Sequence, residues 1–202
     1  MKLHYSPSSP FVRKVMVAAH EKGLVDRIAL TSPATMANGE LRLDNPLEKV
    51  PCLIDDDDRA LYDSHVIVDY LDSIGSGPAL TPSEPKARIA VLLLHALADG
   101  LMDAGVACIG ELRRPEALRW EDNVARQKGK MARALDALEA QADAMGDRVD
   151  IATISVGCGL GYTDFRYGDM NWREGRPKLT AWYERFSKRP SMVATVPQNP
   201  PA

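Results

Sequence analysis

The sequence predicts a chain in two parts: an α/β first half ordered β-α-β-α-β-β-α, then an all-helical bundle. Three observations predict it. Lys2-Leu3-His4-Tyr5 reads as a short strand, and the turn Ser6 to Ser9 delivers it into a helical run that closes at Gly23. Val50-Pro51-Cys52-Leu53-Ile54 and Ala60-Leu61-Tyr62 flank the acidic turn Asp55 to Asp58 as the arms of a hairpin. Beyond the breaker-rich stretch Gly75 to Pro85, no strand pattern recurs.

The elements follow in order. Ser9 is placed as an N-cap, its hydroxyl taking a free N–H of the first turn. Pro10 occupies the first helical position, where a missing N–H costs nothing. Phe11, Val12, Val15, Met16, Ala18 and Ala19 form a stripe of helical period, and Gly23 suits a left-handed stop. Such a strand–turn–helix aims a hydroxyl and unpaired N–H groups at one point, which favours an anion. Arg27 to Thr31 alternates as a second strand. Ser32 to Asn45 reads as irregular or weakly helical, broken by Pro33, Asn38-Gly39 and Asn45-Pro46. The four aspartates read as a solvated turn, since no further metal ligands stand nearby. Ser64 is expected to cap a helix reaching Ile74, with Val66, Ile67, Tyr70 and Leu71 on its apolar face.

These features place a first domain at residues 1–76, a linker at 77–85 and a helical domain at 86–202. In the helical half, Lys86 to about Arg113 forms the first helix through Ile89, Leu92, Leu93, Ala96, Leu97 and Leu101. Pro115 is expected to open a second, reaching about Met145. Asp147 to Asp150 resembles a capping box with an acidic residue at each end, opening a helix from Ile151 to about Phe165. The small residues Ala152, Ser155, Gly157, Gly159 and Gly161 point to close backbone packing there. Pro177 to Lys188 carries Leu179, Trp182, Tyr183 and Phe186, and the tail from Pro197 is expected to be loose.

A length of 202 residues suits one large domain or two small ones, and 45% hydrophobic with 26% charged content is that of a soluble globular protein. A net charge of −3 argues against a nucleic-acid partner. No signal peptide is expected, because residues 1–20 lack a long apolar core and carry Arg13 and Lys14. The best apolar run, Ile89 to Leu94, is too short to enter a membrane. Cys52, Cys108 and Cys158 are odd in number and far apart, so they predict neither metal cluster nor redox pair, and a cytoplasmic location fits. His4, His20, His65 and His95 form no visible cluster.

Ser9-Pro10-Phe11-Val12-Arg13-Lys14, Lys49-Val50-Pro51-Cys52-Leu53, Asp63-Ser64 and the box at Asp147 to Asp150 occur in one order and spacing. On these motifs the chain resembles the cytosolic glutathione transferases, with a thioredoxin-like first domain and a helical second one. Gly161 to Arg166 and Arg189-Pro190-Ser191 are similar to a bacterial, serine-type branch. The resemblance spans nearly the whole chain. It implies glutathione as co-substrate without a metal, a small-molecule electrophile, and a homodimer.

The resemblance implies that Ser9 faces the glutathione sulfur. Lowering a thiol pKa by about two units needs about 2.7 kcal/mol of selective anion stabilisation. A helix N-terminus offers roughly 0.3–1 kcal/mol and a hydrogen bond to a charged group about 1.5–3 kcal/mol, so the two together suffice. A serine cannot form a disulfide with glutathione, which argues against thiol transfer. Tyr5 is the rival hydroxyl; Ser6 and Ser8 are weaker ones. Ser9 as a plain cap remains the simpler alternative. Val50-Pro51 resembles the family's cis step that pairs with the cysteinyl backbone, though an ordinary trans edge proline reads the same way. Asp63 and Ser64 would take the γ-glutamyl end, and Lys49 the glycyl carboxylate. The second substrate is expected between the domains, near Tyr5, Phe11, Met102, Ala104, Cys108 and Glu111, with Met102 and Cys108 equally readable as core. Conjugation is the expected activity. A non-catalytic binding module, a glutathione-dependent isomerase and a dehalogenase are the alternatives, and the intact Ser9, Pro51, Asp63 and Ser64 favour a working site.

Overall fold

The computed structural model describes residues 1–31 and 39–199. The chain divides into two units, one made of residues 1–82 with the segment from Pro190 on, the other of residues 83–189.

In the first unit, β1 (Lys2–His4), β2 (Ala29–Leu30), β3 (Cys52–Ile54) and β4 (Ala60–Leu61) form one sheet in the order β2-β1-β3-β4. β1 and β2 run parallel, so the chain needs a crossover between them, and α1 (Pro10–Glu21) supplies it. The pairs β1–β3 and β3–β4 are antiparallel. The expected β-α-β-α-β-β-α order is completed by α2 (Glu40–Asp44) and α3 (Ser64–Ile74). Residues 32–38, the first half of the stretch expected to be irregular or weakly helical from Ser32 to Asn45, lie outside the described residues, and α2 takes up most of the second half. β2 starts at Ala29, not at Arg27. After Gly23 ends α1 in the left-handed region (φ +67°), Leu24 turns inward and Val25–Arg27 coils as a 3-10 turn, using up the first residues expected to pair.

Three of the four aspartates in the acidic turn are exposed, as expected of a solvated turn, and Asp55 is the exception. Asp55 is 3% exposed: its Oδ1 accepts from the N–H groups of Asp57 and Arg59, and its Oδ2 from Arg59 Nε. These hydrogen bonds, the one from the Arg59 backbone first, hold its carboxyl below the usual range. Asp56 pairs with the N-terminal amine and Arg27, while Asp57 and Asp58 face water.

α1 is covered on nearly every side, so that even Arg13 and Lys14 are buried. At its end Lys22, 2% exposed, makes an ion contact with Asp72 Oδ1 at 2.9 Å and donates to the carbonyls of Pro78 and Gly77. Asp72 Oδ2 accepts from the N–H groups of Leu80 and Thr81. The expected linker is therefore tied to the first unit as far as Thr81. Of the tail expected to be loose from Pro197, residues 200–202 lie outside the described residues, and the described part is held. α8 (Pro190–Val193) lies against α1, and Gln198 N–H donates to Pro7 C=O at 3.0 Å. The segment expected to close the helical domain belongs with the first unit.

The second unit holds α4 (Pro85–Leu112), α5 (Glu121–Met145), α6 (Ile151–Arg166) and α7 (Pro177–Phe186). Glu84 caps α4 through the N–H groups of Lys86 and Ala87. Pro115 opens only a 3-10 turn, Glu116–Leu118, and α5 begins six residues later than expected. Glu111 is the reason: its Oε1 captures Trp120 N–H at 2.9 Å and binds Arg114, so the chain must double back before it coils again. By length and composition α4 could cross a membrane, contrary to the estimate from Ile89–Leu94 alone, but its face from Val91 to Cys108 is the wall of the bundle core.

α6 runs through the middle, buried from Ile151 to Thr163. A Cβ on Gly159 would lie 3.3 Å from Leu101 and 3.4 Å from Met102, so glycine there lets α4 and α6 approach. The capping box runs from Asp150 to Thr153, three residues further on than expected: Thr153 N–H donates to Asp150 Oδ1 at 2.9 Å, and Asp150 N–H donates to Thr153 Oγ1 at 3.0 Å. Asp147 takes no part, because Asp150 is the residue with extended backbone at the helix start. Asp150→Ala is expected to destabilise the chain by about 1–2 kcal/mol, at the upper end for a cap because the box is buried. Chemical denaturation reads this directly. α7 stops at Phe186, two residues short of the expected Lys188.

Candidate active site

Strand register gathers the expected site at one end of the sheet. His4 pairs with Cys52 across β1 and β3, which sets Tyr5 and the Ser6–Ser9 turn beside Val50–Pro51. Leu53 pairs with Leu61 across β3 and β4, which brings Tyr62 and Asp63 to the same edge. Neighbouring strands lie about 4.8 Å apart, so the start of α1, the loop before β3 and the start of α3 occupy a strip roughly 10 Å wide. α1 begins six residues after β1 and α3 three residues after β4, and a helix N-terminus favours an anion.

Ser9 is half-buried and is the N-cap of α1, with Oγ accepting from Val12 N–H at 3.3 Å. Accepting leaves the hydroxyl proton to be donated elsewhere. The cap role and a sulfur-facing role are therefore compatible. Tyr5 is half-buried too, and burial pushes its phenol pKa up, keeping it protonated. It lines a cavity of about 90 Å³ with Ser6, Ser9, Arg13 and Thr195, rather than lying in the core. Ser6 and Ser8 face each other at 3.4 Å. Phe11 is half-exposed, with the buried Lys14 ammonium 5.5 Å from its ring centre.

The Val50–Pro51 peptide is cis, and so is Tyr62–Asp63. Lys49 is exposed. Asp63, not Ser64, is the N-cap of α3: its Oδ1 accepts from His65 N–H at 2.9 Å, and Ser64 becomes the first helical residue, 3% exposed. Either residue type can cap, and the extended backbone falls at Asp63.

Asn45 was not singled out in the sequence. Buried at the end of α2, it accepts from Leu47 N–H at 3.0 Å and donates to Lys49 C=O at 2.8 Å, pinning the loop that carries Lys49, Val50 and Pro51. The signal was available in Asn45-Pro46, since asparagine before a turn often bonds the backbone two residues on. His4, fully buried, bonds Asp44 at 2.7 Å and ties α2 to β1. Burial, then the Asp44 charge, push the Cys52 thiol up to about 11.

Met102, Ala104, Cys108 and Glu111 lie in the second unit. Met102 and Cys108 are fully buried in its core and Ala104 nearly so. The Glu111 carboxylate is engaged by Trp120, Arg114 and Asn123. Among the described residues, no three His, Cys, Asp or Glu side chains come together as a metal site.

Family models for the glutathione S-transferase N-terminal and C-terminal domains match residues 8–74 and 121–185. A relative from Escherichia coli K12, the uncharacterised GST-like protein YibF, is 37% identical over 200 residues and is matched along 98% of both chains. The chain belongs to the glutathione S-transferase family. A glutathione transferase family member from Pseudomonas fluorescens Pf-5, solved with bound glutathione, is similar to this transferase at 46% identity and a TM-score of 0.91, covering 100% of this chain and 99% of that one. Another structure of a Pseudomonas fluorescens Pf-5 family member, with bound S-(propanoic acid)-glutathione, has 46% identity and a TM-score of 0.88, covering 98% and 100%.

Proposed function

We propose that this transferase holds glutathione across the strip, with Ser9 donating its hydroxyl proton to the thiolate and the α1 N-terminus adding its partial positive charge. The Val50 backbone would pair with the cysteinyl unit and Lys49 with the glycyl carboxylate. Ser64 at the start of α3 would take the γ-glutamyl carboxylate and Asp63 the ammonium. What supports this reading is the strand register, His4 with Cys52 and Leu53 with Leu61, which leads the chain out of β1, into β3 and out of β4 at one end of the sheet, together with the Ser9 hydroxyl at the N-cap of α1.

The reaction is conjugation. The thiolate forms an S–C bond at an electrophilic carbon, and a leaving group departs with the bonding pair or a conjugated double bond takes up a proton. A small, partly apolar electrophile fits, and the S-(propanoic acid)-glutathione held by the Pseudomonas fluorescens relative gives a scale for it. The protein is proposed to work as a cytoplasmic homodimer. Val66, Ile89 and Leu93 are among the large apolar residues exposed on their own units and are proposed to serve such an association.

Retention on immobilised glutathione together with turnover of a generic aryl halide and of an acrylate is the expected result. Retention without any turnover would turn the reading to a carrier, and no retention would remove it.

A further inference from the structure

We propose that the C-terminal segment, residues 191–198, positions the Ser6–Ser9 turn and so sets how well the Ser9 hydroxyl is aimed; this rests on the sulfur-facing role proposed for Ser9. The segment grips α1 at both ends. Ser191 Oγ donates to Glu21 Oε1 at 2.5 Å, on the last residue of the helix. In the middle, Arg13, 7% exposed, donates from Nη2 to Met192 C=O at 3.1 Å, with Nε 3.5 Å from Thr195 Oγ1. At the far end Gln198 N–H donates to Pro7 C=O at 3.0 Å, inside the turn that presents Ser9.

α1 has 12 residues and spans about 18 Å, so residues 191–198 run its length. The turn has little else to hold it. Its internal bonds are Ser9 N–H to Ser6 C=O at 3.2 Å and the long Ser6–Ser8 contact at 3.4 Å, and the cavity of about 90 Å³ lies beside it, walled by Ala194 and Thr195. The Ser9 cap bond at 3.3 Å is itself long. Ser9 C=O also accepts from Arg13 N–H at 3.0 Å, which ties Ser9 to α1; cutting the Gln198–Pro7 bond frees the Ser6–Ser8 side of the turn, and the aim of the Ser9 hydroxyl changes with it.

Gln198→Pro removes the donated N–H and little else, while Gln198→Ala keeps it. The readout is the ultraviolet thiolate absorbance of bound glutathione against pH, with kcat and KM for glutathione. Gln198→Pro is expected to lower the thiolate fraction at neutral pH about 3- to 10-fold, with kcat recovering at alkaline pH and KM changing less than about twofold. Gln198→Ala is expected to match the parent. If Gln198→Pro does not fold, a chain ending at Val196 carries the same expectation. A folded Gln198→Pro variant with the parent profile, or a Gln198→Ala variant shifted as far as the proline one, overturns the inference. Ser9→Ala run alongside separates the two ideas: its unchanged profile would remove the role of Ser9, whereas its shift beside an unmoved Gln198→Pro profile would remove only that of the strap.

Discussion

Ser9→Ala is expected to lower conjugation at neutral pH roughly 10- to 100-fold, with most of the loss regained in alkaline solution. In the role proposed for Ser9, the bond that would be lost is from a hydroxyl to an anion, about 1.5–3 kcal/mol, which equals one to two pKa units of the bound thiol. The sign is fixed by the charge. Stabilising the thiolate holds the bound thiol below its ordinary value near 8.5, so removing the donor raises it. Between the two pKa values the variant has less nucleophile than the parent, and above both it has the same. Alanine also removes the cap of α1, which accepts from Val12 N–H. Ser9→Gly costs the helix only a few tenths of a kcal/mol, so a loss shared by both variants belongs to the hydroxyl. Ser9→Thr keeps hydroxyl and cap and should retain activity. Coincident pH profiles for parent and Ser9→Ala, with a shift in Tyr5→Phe, would transfer the role to the phenol.

Asp72→Ala is expected to destabilise the chain by about 3–5 kcal/mol, the cost of stranding one member of a buried ion pair. Lys22 would keep the carbonyls of Pro78 and Gly77 but lose its counter-charge, and the N–H groups of Leu80 and Thr81 would lose their acceptor. For a chain of this length each kcal/mol moves the melting point about 2–4 °C, so a fall of roughly 6–20 °C is expected. Lys22→Met combined with Asp72→Ala should recover a good part of it, because no bare charge remains. A loss under 1 kcal/mol in the single variant would mean that water reaches the ammonium.

What the sequence revealed was local. Ser9-Pro10, the hairpin around the four aspartates and the apolar stripes of α5 and α7 each depend on neighbours within a few positions, and each stands near where it was expected; the stripe expected on α4 does not, because of its six residues only Leu101 is buried and Val91, Leu94 and Ala98 face the core instead. The misplacements came where two local signals competed. Asp63 and Ser64 cap equally well, and the backbone leaving β4 chose between them. Pro115 is a sound helix opener, but Glu111, several residues back, holds Trp120 and delays α5. Asn45 shaping the Lys49–Pro51 loop and Lys22 anchoring the linker depend on partners reached only through the fold. The gathering of Ser9, Pro51 and Asp63 was legible only through family resemblance, since strand register is a long-range property.

The return of α8 to the first unit has a consequence during synthesis. Chains usually fold from the amino end as they emerge. Here the side of α1 that receives Met192 cannot be closed until the segment from Pro190 on has been made. Residues 83–189 are therefore made while the first unit is still open along one flank, and a fragment cut at residue 82 would carry that flank bare.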